Sequence, residues 1–189
     1  MASTLAAQNP ADVVNQALAK MGYKLRVGSL FDGSLAAKKA LDIYAQTRDQ
    51  LLRQGDFDFS KQIVAAALTG QVAPLPWSNE YVYPANCLKV RDIFGVAYAS
   101  SPNNPLPVLW TIGDNPNTVK KVIWTNINPA TLVYTAQITD PTLWETSFTE
   151  ALADGLRTRL TPLLASLELE KIAAEDEKAA IATAEAMIG

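Results

Sequence analysis

Three prolines, Pro74, Pro76 and Pro84, fall inside the stretch QVAPLPWSNEYVYPANC. Each is incompatible with a helix interior, because proline lacks the backbone N–H and its ring crowds the preceding turn. The apolar spacing differs on the two sides of this barrier. Before it, apolar residues recur with a helical period. After it, from Leu88 to Thr135, short alternating runs (LKVRDIF, PVLWTI, KKVIWTN and ATLVYTA) are separated by Pro, Asn and Gly clusters, the pattern of a small antiparallel sheet. Lys120 and Lys121 beside VIW, and Asn126 to Pro129 before TLVY, read as one hairpin with a four-residue turn.

The helical segments are punctuated by their ends. Asn9 can cap a first helix over about 10–22, with Pro10 in the first turn and Gly22 as its stop; Val13, Val14, Ala17, Leu18 and Met21 form its apolar face. Ser34 can cap a second helix to about residue 54, with Ala40, Ile43, Tyr44, Thr47 and Leu51 on one face. Asp58 and Gly70 bracket a third, short helix expected at 59–68. Helix returns at 141–161, where Asp140 caps, Pro141 takes the first position, and Trp144, Phe148, Leu152, Leu156 and Leu160 stack one per turn until Pro162 bends or ends it. The expected fold class is α+β and mainly α: a helical bundle with an inserted small antiparallel β region at about 88–136 and a long C-terminal helix. The expected bundle core is Leu18, Ile43, Tyr44, Leu51, Trp144, Phe148 and Leu152. At 189 residues and 49% apolar content, one body (1–166) with an appended segment (167–189) is the natural division.

Composition excludes much chemistry. The chain has no histidine, which removes the usual general base near neutral pH, the Ser-His and Cys-His nucleophile pairs, and most zinc or copper sites. No glycine-rich phosphate loop occurs, so no nucleotide, metal or other cofactor is expected. The 16 basic residues are scattered in a chain of net charge −3, which gives no footprint for gripping nucleic acid. The longest strongly apolar run, Ile63 to Leu68, is far short of the roughly 20 residues a membrane span needs. The start MASTLAAQNPADVV lacks a basic n-region and an apolar h-region, and a single cysteine forms no internal disulfide, so an intracellular product is expected.

The candidate sites weaken on inspection. Cys87 could be a nucleophile, but a reactive thiolate needs a base or a strongly cationic setting. Lys89 and Arg91 would share one strand face with it, leaving all three exposed, and the plainer reading is a thiol at the start of a strand. Asp56 and Asp58 could pair on a metal, yet capping accounts for Asp58 and solvent for Asp56. Trp77, Trp110, Trp124 and Trp144 lack interleaved basic residues and read as packing rather than base-stacking platforms. The run Glu175, Asp176, Glu177 reads as a solvated helix face.

The C-terminal segment is different. Residues 167–189 hold two basic and six acidic residues, a net −4, with a thin apolar line of Leu169, Ile172, Ala173, Ile181, Ala184 and Ile188. As a helix it would span roughly 35 Å, against a radius of gyration of roughly 16 Å for a compact chain of this size. Such an Ala-rich helix buries little area on its own body and is marginal alone in water, so it reads as a partner-binding segment.

The whole order (AKMGY ending the first helix, SLFDGSLAAKKALDIYAQTRDQLLRQGDFDFSKQIVAAAL, NEYVYPANCLKVR, a strand-rich insert, then TDPTLWETSFTEALADGLRTRLTPLL) resembles the head-to-tail adaptor proteins of tailed bacteriophages, the group that includes tail tubular protein A. The resemblance runs from about residue 10 to the end. Its most specific pieces are Arg48-x-x-Leu51 through Phe59, Tyr83-Pro84-x-x-Cys87-Leu88, and Trp144-x-x-x-Phe148 with the Ala- and Leu-rich run after it. Relatives often carry Trp-x-Phe-Ala where this chain has Phe57-Asp58-Phe59-Ser60, and an acidic residue at Asn86. The resemblance implies a non-enzymatic virion protein in the neck: a dodecameric ring of neighbouring copies under the portal protein, extending the DNA channel without sequence-specific binding. It further implies a platform for a downstream tail or nozzle protein, a C-terminal segment that reaches the portal, assembly in the host cytoplasm, and no membrane. Set beside it are a generic protein–protein interaction module and a small hydrolase using Cys87.

Overall fold

The computed structural model describes residues 9–24, 26–95 and 108–165. The chain divides into two compact units, one of Met1–Leu51 with Asp140–Gly189 and one of Leu52–Thr139.

The first unit is helical. Helix α1 (Pro10–Lys20) starts in a capping box, with Asp12 N donating to Asn9 Oδ1 and Asn9 N donating to Asp12 Oδ2, each at 3.0 Å. It stops where Gly22 takes a left-handed φ of 83° and Tyr23 N donates back to Leu18 O at 3.0 Å. The loop that follows is pinned by Asn15, which both donates to and accepts from the Val27 backbone at 2.9 and 2.8 Å. It is further pinned by Asp32, whose carboxylate accepts from Gly28 N and Ser34 N, each at 2.8 Å. Hydrogen bonds led by those from Ser34 hold the Asp32 carboxyl at about 2. Helix α2 (Leu35–Gln54) follows, and α3 covers 146–165 of the described residues. Its stripe Phe148, Leu152, Leu156 and Leu160 is fully buried, as are Val13, Val14 and Ala17 of α1. Gly155 lets α3 approach α2 closely, since a Cβ there would stand 3.0 Å from Thr47 Cγ2.

The second unit is not helical. Strands β1 (Lys61–Ala65), β6 (Ala130–Ala136) and β3 (Cys87–Gly95) form one antiparallel sheet in the order β1-β6-β3, and β2 (Asn79–Val82), β5 (Lys120–Thr125) and β4 (Trp110–Asn115) form another in the order β2-β5-β4. Both sheets contribute to one core that includes Tyr81, Ile123, Val90, Ile93, Leu132 and Tyr134. The chain passes from the first sheet to the second just after β1. Ala66 N donates to Ala130 O on β6 at 2.8 Å, and then Thr69 N donates to Glu80 O and Val82 N to Ala67 O on the β2 side.

The expected helical bundle with a small β insertion is therefore corrected: this is a mixed α/β fold whose β part comprises two three-stranded antiparallel sheets. The helix expected at 59–68 is a 3-10 turn (Asp58–Ser60) running into β1. Ala-rich KQIVAAAL suits a helix locally, but pairing with β6, about seventy residues downstream, overrides that preference. The expected hairpin around residues 126–129 has the right strands, but β5 and β6 belong to different sheets. The actual hairpin is β4–β5, closed by residues 116–119 with Val119 at φ 54°. Asp140 caps a 3-10 turn (Pro141–Leu143) that precedes α3, and α3 continues through Pro162 to residue 165.

Candidate functional site

Of the expected bundle core, Leu18, Tyr44, Trp144, Phe148 and Leu152 are buried, and Ile43 and Leu51 are half-buried. The six apolar positions expected to meet the portal, Leu169, Ile172, Ala173, Ile181, Ala184 and Ile188, lie outside the described residues. Trp77, Trp110 and Trp124 are half-buried.

Cys87 begins β3 and is half-buried against the β core, with its amide donating to Pro84 O at 2.9 Å. Burial pushes the thiol above its ordinary value, outweighing a hydrogen bond from Tyr83, so the group stays protonated at neutral pH. Lys89 and Arg91 do not share a simple face with it, because register shifts separate Cys87 from Lys89 and Val90 from Asp92. The groove around Cys87, about 780 Å³, is lined also by Tyr83, Arg53 and Lys121; the Lys121 ammonium sits 5.9 Å from the Tyr83 ring centroid. Arg53 Nε donates to Leu88 O at 3.3 Å.

At the floor of this groove lies a carboxylate that the sequence did not single out. Glu80 is 2% exposed. Its Oε1 accepts from Asn115 Nδ2 at 2.6 Å and Thr69 Oγ1 at 2.8 Å, and its Oε2 accepts from Trp124 Nε1 at 2.9 Å. Burial alone would raise the carboxyl, but these three donors outweigh it and hold the group below its ordinary value. Asn115 in turn accepts from Asn117 N and Thr118 N, so one amide joins the carboxylate to the β4–β5 turn. The network ties β2, β4, β5 and the crossover after β1 together. No local signal reports it, because Glu80 and Tyr81 are adjacent and both buried, so NEYV does not alternate.

Trp124 can aim its N–H at Glu80 because Gly113 leaves room for the indole ring, which a Cβ at that position would strike. Gly113→Ala is expected to cost about 1–3 kcal/mol, seen as a lower denaturation midpoint with a displaced Trp124 indole resonance.

A second groove, about 930 Å³, runs over the outer face of the β1-β6-β3 sheet beside Lys61, Ile63, Val133, Lys89, Arg91 and Phe94. Arg91 lies across it: Nε donates to Thr135 Oγ1 at 2.7 Å, one terminal nitrogen donates to Gly55 O at 3.0 Å, and the other pairs with Asp56. Asp56 is solvent-exposed, as expected, and also forms an ion pair with Arg91, while Asp58 opens the 3-10 turn instead of capping a helix. Among the described residues no cluster of acidic or Cys side chains could hold a metal ion, and no helix is long and apolar enough to cross a membrane.

Neither groove assembles a nucleophile, base and oxyanion donor around one point. Both grooves have a mixed lining of apolar, cationic and acidic side chains. No protein-family model and no curated protein matches the chain.

Proposed function

We propose that this protein is a non-enzymatic head-to-tail adaptor, a subunit of a ring that sits under a phage portal, extends the DNA channel and offers a platform to the next tail component. The observation that carries the reading is the spread of solvent-facing apolar side chains over both units: Phe31 (81% exposed) and Leu143 on the helical one, Ile63, Val72 and Leu75 (95%) on the β one. A ring subunit that meets two neighbours, a portal and a tail component needs several contact surfaces, and these exposed side chains offer apolar area to them. The resemblance of the chain order to phage adaptors supplies the identity of those partners. The acidic segment 167–189, with its apolar line, supplies the portal-reaching element. A channel for sliding DNA should not grip phosphate, and scattered basic residues in a chain of net −3 suit that.

The test is to mix the purified chain with portal rings and image the product. A ring of this protein stacked on the portal is expected; a chain that stays monomeric and unattached overturns the reading. Removing 167–189 should leave a folded, soluble body that no longer attaches to the portal, and full attachment by the truncated chain would remove that segment from the mechanism.

A further inference from the structure

We infer that neighbouring copies join by strand addition, β1 of one copy pairing antiparallel with β4 of the next, with Lys61 opposite Asp114, Ile63 opposite Ile112 and Ala65 opposite Trp110. The inference rests on the ring reading and specifies the joint between its subunits. Two three-stranded sheets have four outer strands, and each leaves a row of unpaired N–H and C=O groups unless something covers it. The outer edge of β2 is covered by residues 67–69, through Val82 N to Ala67 O at 2.8 Å and Thr69 N to Glu80 O at 3.0 Å. The edge strand β3 is broken by two register shifts, and its Leu88 carbonyl accepts from Arg53. Strands β1 and β4 pair without a register shift, and among the described residues no other backbone group bonds to their outer edges.

Backbone groups on a strand point alternately to its two edges, which fixes what each free edge offers. Ala66 N faces β6, so Lys61, Ile63 and Ala65 present their N–H and C=O groups outward. Asn115 O closes the β4–β5 turn by accepting from Val119 N, so Trp110, Ile112 and Asp114 present theirs outward from β4. Three outward-facing residues therefore meet three. Among the antiparallel registers that match them, pairing Lys61 with Asp114 sets opposite charges across the joint. The same register brings together Ile63 and Ile112, which are 64% and 41% exposed in the single chain. An edge joined to a different edge is a heterologous contact, the kind that generates rings when the rotation closes, whereas β1 joined to β1 would stop at a dimer.

Cross-linking in a Cys87→Ser background reads the joint directly. The full-length double variant Ile63→Cys/Ile112→Cys, oxidised with and without portal rings, should give a ladder of covalent multimers extending beyond dimers. The shifted pair Ile63→Cys/Asp114→Cys should give at least tenfold less of it. Covalent dimers from Ile63→Cys alone, or a shifted-pair ladder equal to the first, overturn the inference, as does the absence of any ladder. Rings on the portal without the ladder would overturn this joint and leave the adaptor reading standing; a ladder from a chain that never attaches to portals would do the reverse.

Discussion

Phe148→Ala is expected to remove about 3–5 kcal/mol from the stability of the helical unit. The ring is 0% exposed and meets Trp144 edge-on, with centroids 5.1 Å apart and planes at 72°. It opens a stripe continued by Leu152, Leu156 and Leu160, all 0% exposed, so the surrounding side chains have little freedom to collapse into the space left behind. A loss of that size is a large part of the 5–15 kcal/mol typical of a folded domain. Denaturant titration followed by helical circular dichroism should show the midpoint falling while the slope is kept. Leu143→Ala, at a side chain 59% exposed, should change the midpoint by less than a fifth as much and serves as the comparison. Equal effects at the two positions would mean that the α3 stripe is not the core of this unit.

How far the sequence disclosed the fold follows from where each element finds its partners. Helix α1 carries its own instructions: Asn9 and Asp12 form its cap, Pro10 suits its first turn and Gly22 stops it, all within one local segment. The four strands β3 to β6 were legible from alternation alone. Strands β1 and β2 were not, because their partners are distant: Ile63 pairs with Val133 and Tyr81 with Ile123, and nothing local in an Ala-rich run or a Pro-rich passage reports those pairings. For the same reason the ion pair of the exposed Asp56 was not legible, since its partner Arg91 approaches only once β3 lies beside the 55–58 turn. Side chains that fix the loop and the crossover, Asn15 and Glu80, are single polar residues whose roles depend on tertiary neighbours. A cysteine draws attention in a sequence because its chemistry is rare. The buried carboxylate seven residues before it organises far more of the β unit.

That carboxylate makes the β unit sensitive to acid. Glu80→Ala would leave Asn115 Nδ2, Trp124 Nε1 and Thr69 Oγ1 without their shared acceptor, at a cost of about 2–3 kcal/mol. Glu80→Gln keeps the shape but can accept through only one oxygen, so it should cost less. The pH dependence separates charge from shape. Because the folded-state carboxyl is held below its ordinary value of 4.5, its contribution is fully present above that pH and disappears as the pH falls through the folded-state value. Unfolding of the native β unit should therefore become easier below about pH 4.5, whereas in Glu80→Gln this part of the dependence should vanish. Asp32, Asp140 and Asp154 are also held low, but they belong to the helical unit. The Trp124 indole N–H resonance, which senses Glu80 directly, is thus the reporter to follow. An indole whose acid titration is the same in the native chain and in Glu80→Gln would mean that the ionised carboxylate does not hold β2, β4 and β5 together.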